Sequence, residues 1–332
     1  MGEVQKPAKF YREKDEIIIC QLCPRACRIS PGEKGTCRVR KNNGEELVTL
    51  NYGQVTSAAM DPIEKKPLYH FQPGSSTLSL GTWGCNLSCS FCQNWRISQG
   101  SPRTRKYSPG EIVDLAIQKN SSTITFTYSE PAVWYEFISD VASPAAQEGL
   151  GLILVTNGYI SSGPLNELKP YLSACNIDLK SMSRDFYKRN CGGGNPSPVQ
   201  KNIRNLVEAD IHVEVTNLVI PGENDEEDEF RKLCEFLAEI SSDIPLHISR
   251  YFPRHELKSR KTSPKTLERN YEIAREYLNY VYLGNVDHPR GRKTFCPGCE
   301  SELIDRSYIS LNSRITDGKC PECGTEIAGI FS

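Results

Sequence analysis

The chain has 332 residues, and its 40 basic and 41 acidic side chains leave a net charge of −1. This balance provides no overall electrostatic attraction to nucleic acid or to an anionic membrane surface. The charged start lacks an apolar signal core, and the longest apolar stretches are far too short to span a bilayer. We therefore expect a cytoplasmic protein whose length allows a full hydrophobic core and one to three domains.

The 14 cysteines form three groups and three single positions along the chain. Groups with short, fixed loops indicate metal binding, whereas a disulfide framework is typical of small secreted chains. The groups also divide the sequence into an N-terminal four-cysteine metal-binding module at residues 1–75, a core at 76–290 and a C-terminal module at 291–332. We expect the turn-rich stretch 72–76 to join the first two segments.

The first group, here called the N-terminal four-cysteine set, has the spacing Cys20-x2-Cys23-x3-Cys27-x9-Cys37. Four thiolates either close a tetrahedral zinc site or hold a second four-iron cluster. The spacing lacks a second paired knuckle and leaves both metals open. Either metal fits a noncatalytic role.

The core segment alternates short apolar runs with amphipathic stretches, a pattern that predicts strands and helices in turn. The predicted strands are 78–83, 123–128, 151–156, 174–179, 212–220, 246–250 and 280–283, and the predicted helices are 109–119, 132–147, 199–208, 226–240 and 264–278. Alternating β and α units indicate a parallel sheet with covering helices, either open or closed into a full or partial barrel.

The loop after the first predicted strand carries the second group, here called the three-cysteine loop, with the spacing Cys85-x3-Cys89-x2-Cys92. Three thiolates leave a four-iron cluster one ligand short, so one iron keeps coordination sites that accept a cosubstrate. Zinc fits less well because a structural zinc ion requires a closed set of four ligands. We therefore predict a catalytic [4Fe-4S] cluster at this loop.

Polar residues also follow the other predicted strands of the core. They occur at residues 127–131, 156–159, 178–180, 217–221 and 247–251. Because the carboxyl ends of parallel strands form the ligand site of such folds, we expect these groups to converge at one mouth.

The third group, here called the C-terminal four-cysteine set, consists of two C-x2-C knuckles formed by Cys296, Cys299, Cys320 and Cys323. Four thiolates in paired knuckles satisfy a tetrahedral zinc ion and fold a segment too small for its own core. A rubredoxin-like iron site is the alternative. We predict a zinc ribbon that covers the core or docks a partner. Nucleic acid is a weaker candidate for that partner, because acidic and basic residues are balanced in the hairpin between the two knuckles.

The core resembles the activating-enzyme branch of the radical S-adenosylmethionine (SAM) superfamily. Tyr128-Ser129-Glu130-Pro131 corresponds to the family motif Gly-Gly-Glu-Pro, and Asp178-Leu179-Lys180 corresponds to Asp-Leu-Lys. The resemblance implies a partial (β/α)6-type barrel of α/β class and a three-cysteine [4Fe-4S] cluster that binds SAM. Reductive cleavage of SAM then yields a 5′-deoxyadenosyl radical, which abstracts hydrogen from a substrate.

The same resemblance implies roles for individual residues in binding SAM. Glu130 and the backbone of Ser129 would hold the ammonium group, because a charge-assisted hydrogen bond fixes its orientation. Lys180, next to Asp178, would pair with the carboxylate. Asn157 and His247 would lie near the ribose and adenine. Those activases often have Asp where this chain has Val155, a difference that argues against a monovalent-cation site built around that Asp.

The whole chain is similar to the radical SAM enzymes of the AmmeMemoRadiSam system. The similarity rests on residues 20–27, 65–71, 81–85 and 314–321. It implies Memo-type and AMMECR-type proteins as partners and a low-potential electron donor such as flavodoxin or ferredoxin. The substrate, a small molecule or a protein, stays open. A glycyl-radical-enzyme activating enzyme and a noncatalytic, metal-organised interaction scaffold are the alternatives.

Overall fold

The N-terminal region contains two small antiparallel sheets. The computed structural model describes residues 5–306 and 311–331, so residues 1–4, 307–310 and 332 of the two predicted outer modules lie outside the described residues. The first seven strands are β1 (Lys6–Pro7), β2 (Tyr11–Lys14), β3 (Ile17–Cys20), β4 (Arg28–Ile29), β5 (Arg40–Asn42), β6 (Leu47–Thr49) and β7 (Gln54–Val55). One sheet has the order β1-β6-β5 and the other β2-β3-β4.

The centre of the chain is an eight-stranded sheet with the order β8-β9-β11-β12-β13-β14-β15-β16. Its strands and the short β10, which pairs with β7, are β8 (Ser57–Pro62), β9 (Ser76–Gly81), β10 (Arg105–Lys106), β11 (Thr123–Phe126), β12 (Gly151–Thr156), β13 (Leu172–Asp178), β14 (His212–Val219), β15 (Leu246–Arg250) and β16 (Val281–Gly284). The strands from β9 to β16 in this sheet are parallel, and each overlaps one predicted strand. The α/β prediction is confirmed.

One strand of this sheet was not predicted. β8 pairs with β9 in antiparallel register, so the sheet begins before residue 75. Its sequence, Ser-Ala-Ala-Met-Asp-Pro, lacks the β-branched and aromatic residues that favour strands. Pro62 is tolerated because β8 lies at the edge of the sheet.

Helices fill the connections between the parallel strands. They are α1 (Trp95–Ser98), α2 (Pro109–Gln118), α3 (Tyr135–Gln147), α4 (Ser162–Leu168), α5 (Arg184–Asn190), α6 (Ser197–Val207), α7 (Glu227–Ile240) and α8 (Pro264–Arg275). Ser108 and Glu111 form a capping box at the start of α2, and Ser263 caps α8. The short α1, α4 and α5 were not predicted, since one or two turns carry too little periodicity to recognise.

The C-terminal region forms a third antiparallel sheet with a core of its own. Its strands are β17 (Lys293–Phe295), β18 (Glu302–Asp305) and β19 (Asn312–Ser313). Tyr280 and Tyr282, at the end of the central sheet, pack with Leu303, Ile304 and Ile327. The division of the chain into three modules stays a prediction. In the described part of the chain, every helix is too short or too polar to cross a bilayer.

The packing of α3 against the sheet provides a test of the core. Phe137 is fully buried and stacks on Trp134 with 4.7 Å between ring centroids. We expect Phe137→Ala to lower the free energy of unfolding by about 3–5 kcal/mol, because the lost ring leaves a cavity. The exposed Ile117 of α2 provides the control. Ile117→Ala should change the free energy of unfolding by less than about 0.5 kcal/mol. Urea unfolding measures both, and equal effects would contradict this packing.

Candidate active site

A cleft of about 400 Å³ opens where the parallel strands end. The loops after β9, β11, β12 and β13 line it, as expected for the ligand site of a parallel α/β sheet. Eight of the residues predicted for the core site meet here, namely Cys85, Cys89, Cys92, Ser129, Glu130, Asn157, Asp178 and Lys180. The remaining one, His247, lines a neighbouring cleft.

Gly84 allows the three-cysteine loop to pass close to the N-terminal region. Its φ of +90° is a conformation that other residues rarely adopt. A Cβ atom at this position would lie 2.6 Å from Cγ1 of Val39 and 2.8 Å from the carbonyl oxygen of Cys37. A larger residue at Gly84 would therefore displace the loop.

The buried side chain of Asn86 holds the three-cysteine loop against the end of β12. Its Nδ2 donates to the carbonyl oxygen of Tyr159 at 2.6 Å. Its Oδ1 accepts from Nδ2 of Asn157 at 2.9 Å. Both amides are buried, so losing either bond would leave a polar group unpaired.

The sulfur atom of Cys85 in the three-cysteine loop accepts hydrogen bonds that suit a thiolate ligand. Cys85 Sγ accepts from the backbone of Leu87 at 3.4 Å and from Nδ2 of Asn157 at 3.6 Å. Burial, followed by the charge of Glu130, raises the pKa of the Cys85 thiol well above its ordinary value. A thiolate at this position therefore needs a cation, such as a bound metal, to stabilise it.

The three cysteines line an open cleft of about 400 Å³, which has room for a cluster of several atoms. Among the described residues, the C-terminal four-cysteine set has all of its sulfur atoms within 4.8 Å of one another, as around one ion. The three-cysteine loop does not form such a group. Each thiolate of a cubane binds a different iron atom, so its ligands stand apart. The residues present thus fit a [4Fe-4S] cluster.

Glu130 joins the loops that follow β11 and β12. Its buried carboxylate accepts from the backbone of Ala132 at 2.9 Å, from the hydroxyl of Thr156 at 2.6 Å and from the backbone of Asn157 at 2.8 Å. Burial raises the pKa of Glu130, although these bonds oppose the shift. A carboxylate has about four acceptor positions, so one remains for a ligand in the cleft. Its predicted contact with an ammonium group stays a prediction.

Lys180 brings a positive charge to the lining of the cleft. Its Nζ lies 2.9 Å from Oδ2 of Asp178. Burial disfavours the charged form of Lys180, but Asp178 and the sulfur of Cys89 outweigh it and raise the pKa well above its ordinary value. The cleft therefore presents a fixed cation beside the three-cysteine loop.

The sequence did not indicate a network around Asp61 of β8 that brings Lys65 and Lys66 to the same cleft. Asp61 pairs with Lys65 at 2.8 Å and with the buried Lys66 at 2.7 Å, and it accepts a hydrogen bond from the hydroxyl of Tyr128. Lys66 also lies over the Tyr128 ring at 4.5 Å. Tyr128 has a φ of +68°, which explains why glycine suits the family motif here. Tyr128 in place of the family's glycine was the feature of the sequence that could have pointed to this network.

His247 belongs to an adjoining cleft of about 1060 Å³. Its Nε2 lies 2.6 Å from the buried carboxylate of Glu214, which also accepts from the backbone of His70 at 2.7 Å. The two clefts share lining residues, including Gln93, Thr216 and Ser249, so they communicate. The predicted position of His247 near adenine stays a prediction.

Comparisons with known proteins agree with this geometry. The family model described as the Radical SAM superfamily matches residues 81–234. The chain is also 40% identical over 332 residues to uncharacterized protein MJ0808 of Methanocaldococcus jannaschii, covering 97% of this chain and 98% of that protein. The chain belongs to the radical SAM superfamily.

More distant relatives refine this placement. The radical SAM enzyme is 25% identical over 185 residues to pyruvate formate-lyase 1-activating enzyme of Escherichia coli strain K12, covering 54% of this chain and 74% of the relative. The crystal structure of Streptococcus suis SuiB bound to S-adenosylmethionine shares the fold, with a TM-score of 0.51 and 14% identity over 67% of this chain and 53% of that one. The enzyme is thus related to the activating enzymes. The superfamily implies a [4Fe-4S] cluster and SAM.

The C-terminal four-cysteine set of this radical SAM enzyme converges on one point. The sulfur atoms of Cys296 and Cys323 are 3.5 Å apart, and those of Cys299 and Cys320 are 3.7 Å apart. Zinc–sulfur bonds of about 2.3 Å in a tetrahedron separate sulfurs by about 3.8 Å. This group therefore has the geometry for a single metal ion.

The charge of Lys180 can be tested by binding. We expect Lys180→Met to keep the iron content and to weaken SAM binding roughly tenfold or more, because the variant removes one ionic contact and no iron ligand. Anaerobic equilibrium dialysis with labelled SAM measures the affinity. Lys188→Met, the same change on the exposed face of α5, should leave it unaltered. Normal SAM affinity together with lost iron in Lys180→Met would contradict the assignment.

Proposed function

We propose that this radical SAM enzyme reductively cleaves SAM at a [4Fe-4S] cluster held by Cys85, Cys89 and Cys92. When bound, the cluster supplies the electron that converts SAM to methionine and a 5′-deoxyadenosyl radical, which abstracts hydrogen from a substrate. One observation carries the proposal. The three cysteines share a single cleft with Glu130 and Lys180, groups of opposite charge.

The charges of the cleft suit the amino-acid part of SAM. SAM carries an ammonium and a carboxylate group on adjacent atoms. Lys180 offers a cation for the carboxylate, and Glu130, with the backbone of Ser129, offers acceptors for the ammonium. Both side chains are held by protein contacts before a ligand arrives, so little reorganisation accompanies binding.

The size of the two clefts supports separate places for SAM and the substrate. A volume of about 400 Å³ lies in the range of small-molecule sites. We propose that SAM occupies this cleft and that the substrate enters through the adjoining cleft of about 1060 Å³, where Asn285 and Ser249 border both. His247 lines the adjoining cleft, so we propose that the adenine end of SAM lies at that border.

We propose that the enzyme acts within an AmmeMemoRadiSam system, with Memo-type and AMMECR-type proteins as partners and flavodoxin or ferredoxin as the electron donor. The support is similarity over the whole chain, including both outer cysteine sets. The match to MJ0808, at 40% identity, covers 97% of this chain, whereas the match to the activating enzyme covers 54%. We further propose a partial barrel for the core and zinc for the C-terminal four-cysteine set.

Activation of a glycyl-radical enzyme is the second candidate. It is favoured by 27% identity over 66% of this chain to a putative glycyl-radical enzyme activating enzyme of Methanocaldococcus jannaschii, MJ1632. A scaffold without catalysis is not supported, because the chain belongs to an enzyme superfamily. The two enzymatic functions differ in the source of the abstracted hydrogen.

The cluster assignment is tested with the triple variant Cys85→Ala, Cys89→Ala, Cys92→Ala. We expect it to lose the SAM-dependent change in the cluster's electron paramagnetic resonance (EPR) spectrum, because each thiolate holds one corner of the cubane. Release of 5′-deoxyadenosine after reduction should stop as well. Chromatography of the quenched reaction measures this product. The control is Cys175→Ala, which removes a buried thiol from β13 outside the cleft. Continued cleavage by the triple variant would refute the proposal.

The source of hydrogen distinguishes the two enzymatic functions. The reduced enzyme is incubated with SAM and a deuterated cell extract that has been separated by dialysis. We expect 5′-deoxyadenosine to acquire deuterium from the dialysable fraction if a small molecule is the substrate, and mass spectrometry detects the label. Label arising from the protein fraction of cells grown on deuterated glycine would instead favour glycyl-radical activation.

A further inference from the structure

The loop that follows β15 carries an excess of positive charge. Residues 251–262, here called the basic loop, contain one acidic residue, Glu256, and four lysines and arginines, namely Arg254, Lys258, Arg260 and Lys261. All five of these side chains are exposed. Among the described residues, no carboxylate forms an ion pair with any of the four cations, and Glu256 instead lies 3.6 Å from Nε2 of His255. The basic loop therefore presents unpaired positive charge to solvent.

The basic loop packs directly on the three-cysteine loop. The backbone nitrogens of Glu256 and Leu257 both donate to the carbonyl oxygen of Ser90 at 2.9 Å. Ser90 lies between Cys89 and Cys92 in the sequence. The positive charge is therefore held beside the residues that would bind the cluster.

Internal hydrogen bonds fix the shape of the basic loop. The hydroxyl of the buried Thr262 accepts from the backbone of Tyr251 at 3.0 Å and donates to the carbonyl oxygen of Val219 at 2.6 Å. The hydroxyl of Tyr251 donates to the carbonyl oxygen of Leu257 at 2.8 Å. The two ends of the loop are thus joined to each other and to β14, so the exposed cations project from an ordered support.

Exposed aromatic side chains adjoin these charges. Trp95, which follows the three-cysteine loop, stacks on His255 with 5.0 Å between ring centroids, and the guanidinium of Arg96 lies 5.6 Å from the Trp95 ring. Phe252 belongs to the basic loop itself. Trp95 and Phe252 are two of the four large hydrophobic side chains that are exposed in the described part of the chain. Aromatic residues and arginine together are typical of protein–protein interfaces.

This surface is separate from the two clefts. Among the described residues that line the clefts of about 400 and about 1060 Å³, none belongs to the basic loop. Small ligands bind in concave sites, so the exposed surface is better suited to a macromolecule. The net charge of −1 argues against a general affinity for nucleic acid and favours a protein partner.

We propose that the basic loop, together with Trp95 and Arg96, is the docking surface for an acidic electron-donor protein of the flavodoxin or ferredoxin type. The inference rests on the proposed function, because the cluster must be reduced before SAM is cleaved. The donor loses one electron and the cluster gains it, and no covalent bond forms or breaks in this step. A partner on this surface lies against the three-cysteine loop and leaves both clefts open. Opposite charges accelerate and orient such an encounter.

Binding of the oxidised donor tests the surface without SAM and without a reduced cluster. Isothermal titration calorimetry of the full chain with oxidised flavodoxin, and in parallel with oxidised ferredoxin, measures the dissociation constant. Affinity should fall about tenfold or more between about 20 mM and about 500 mM sodium chloride, because salt screens exposed charges. Arg254→Glu with Lys258→Glu should weaken binding about tenfold or more at low salt and reduce its salt dependence.

The control variant changes the net charge equally at another place. Lys201→Glu with Lys232→Glu reverses two exposed lysines of α6 and α7 and should leave the affinity within about twofold. Phe252→Ser keeps every charge, so it should weaken binding without altering the salt dependence. If the Arg254 and Lys258 variant fails to fold, the single exposed reversal Lys261→Glu decides, with an expected loss of about threefold or more at low salt.

Electron transfer provides a second readout. Stopped-flow mixing with reduced flavodoxin measures the rate at which the flavin absorbance changes. Arg254→Glu with Lys258→Glu should slow this rate about tenfold or more at low salt. Reduction by dithionite at high salt, where exposed charges are screened and no protein docks, should proceed as in the unaltered enzyme.

The outcomes separate this inference from the proposed function. A dithionite-reduced enzyme that releases no 5′-deoxyadenosine would refute the proposed function, whereas salt-dependent flavodoxin binding at the basic loop would still support the docking surface. Equal donor affinity in the basic-loop variant and the control variant would overturn the docking surface, as would failure of both donors to bind the unaltered protein. Loss of binding to duplex DNA with donor affinity unchanged would also overturn it and assign the surface to nucleic acid.

Discussion

The buried hydrogen bonds of Asn86, together with Leu87 and Phe91 in the hydrophobic core, hold the three-cysteine loop of this enzyme in place. The side chain joins the three-cysteine loop to Tyr159 and Asn157 after β12, and the backbone carbonyl oxygen of Asn86 accepts from Arg25 in the N-terminal region. Leaving one such buried group unpaired costs about 1–3 kcal/mol. Three regions of the chain are therefore positioned by one residue.

Glu130 continues this network into the ligand cleft. By accepting from Thr156 and Asn157 it ties the ends of β11 and β12, and Asn157 in turn contacts Asn86 and the sulfur of Cys85. The carboxylate is thus part of the support for the metal-binding loop as well as a candidate ligand group. Its bonds to Thr156 and Asn157 fix the carboxylate within the protein, so its position does not depend on a ligand.

The cysteine groups of the chain differ in how they present their sulfur atoms. The C-terminal four-cysteine set converges to separations of 3.5 and 3.7 Å, as expected around one ion. The three-cysteine loop lines the open cleft of about 400 Å³, and the N-terminal set lines a small internal cavity of about 10 Å³. Their different surroundings follow from the sheet. The three-cysteine loop leaves the carboxyl end of β9, where ligands bind, while the N-terminal set lies behind it.

The sequence by itself determined the α/β fold and the three-cysteine loop, because strand periodicity and cysteine spacing are local properties. It located all seven parallel strands and eight residues that line the cleft. Only the tertiary structure brought Lys65 and Lys66 to that cleft, since the pairing of β8 at the sheet edge carries the residues that follow it there. Likewise, spacing along the chain sets the number of thiolates in the N-terminal set. The distances between them depend on how two loops pack around Arg40, which no local pattern records.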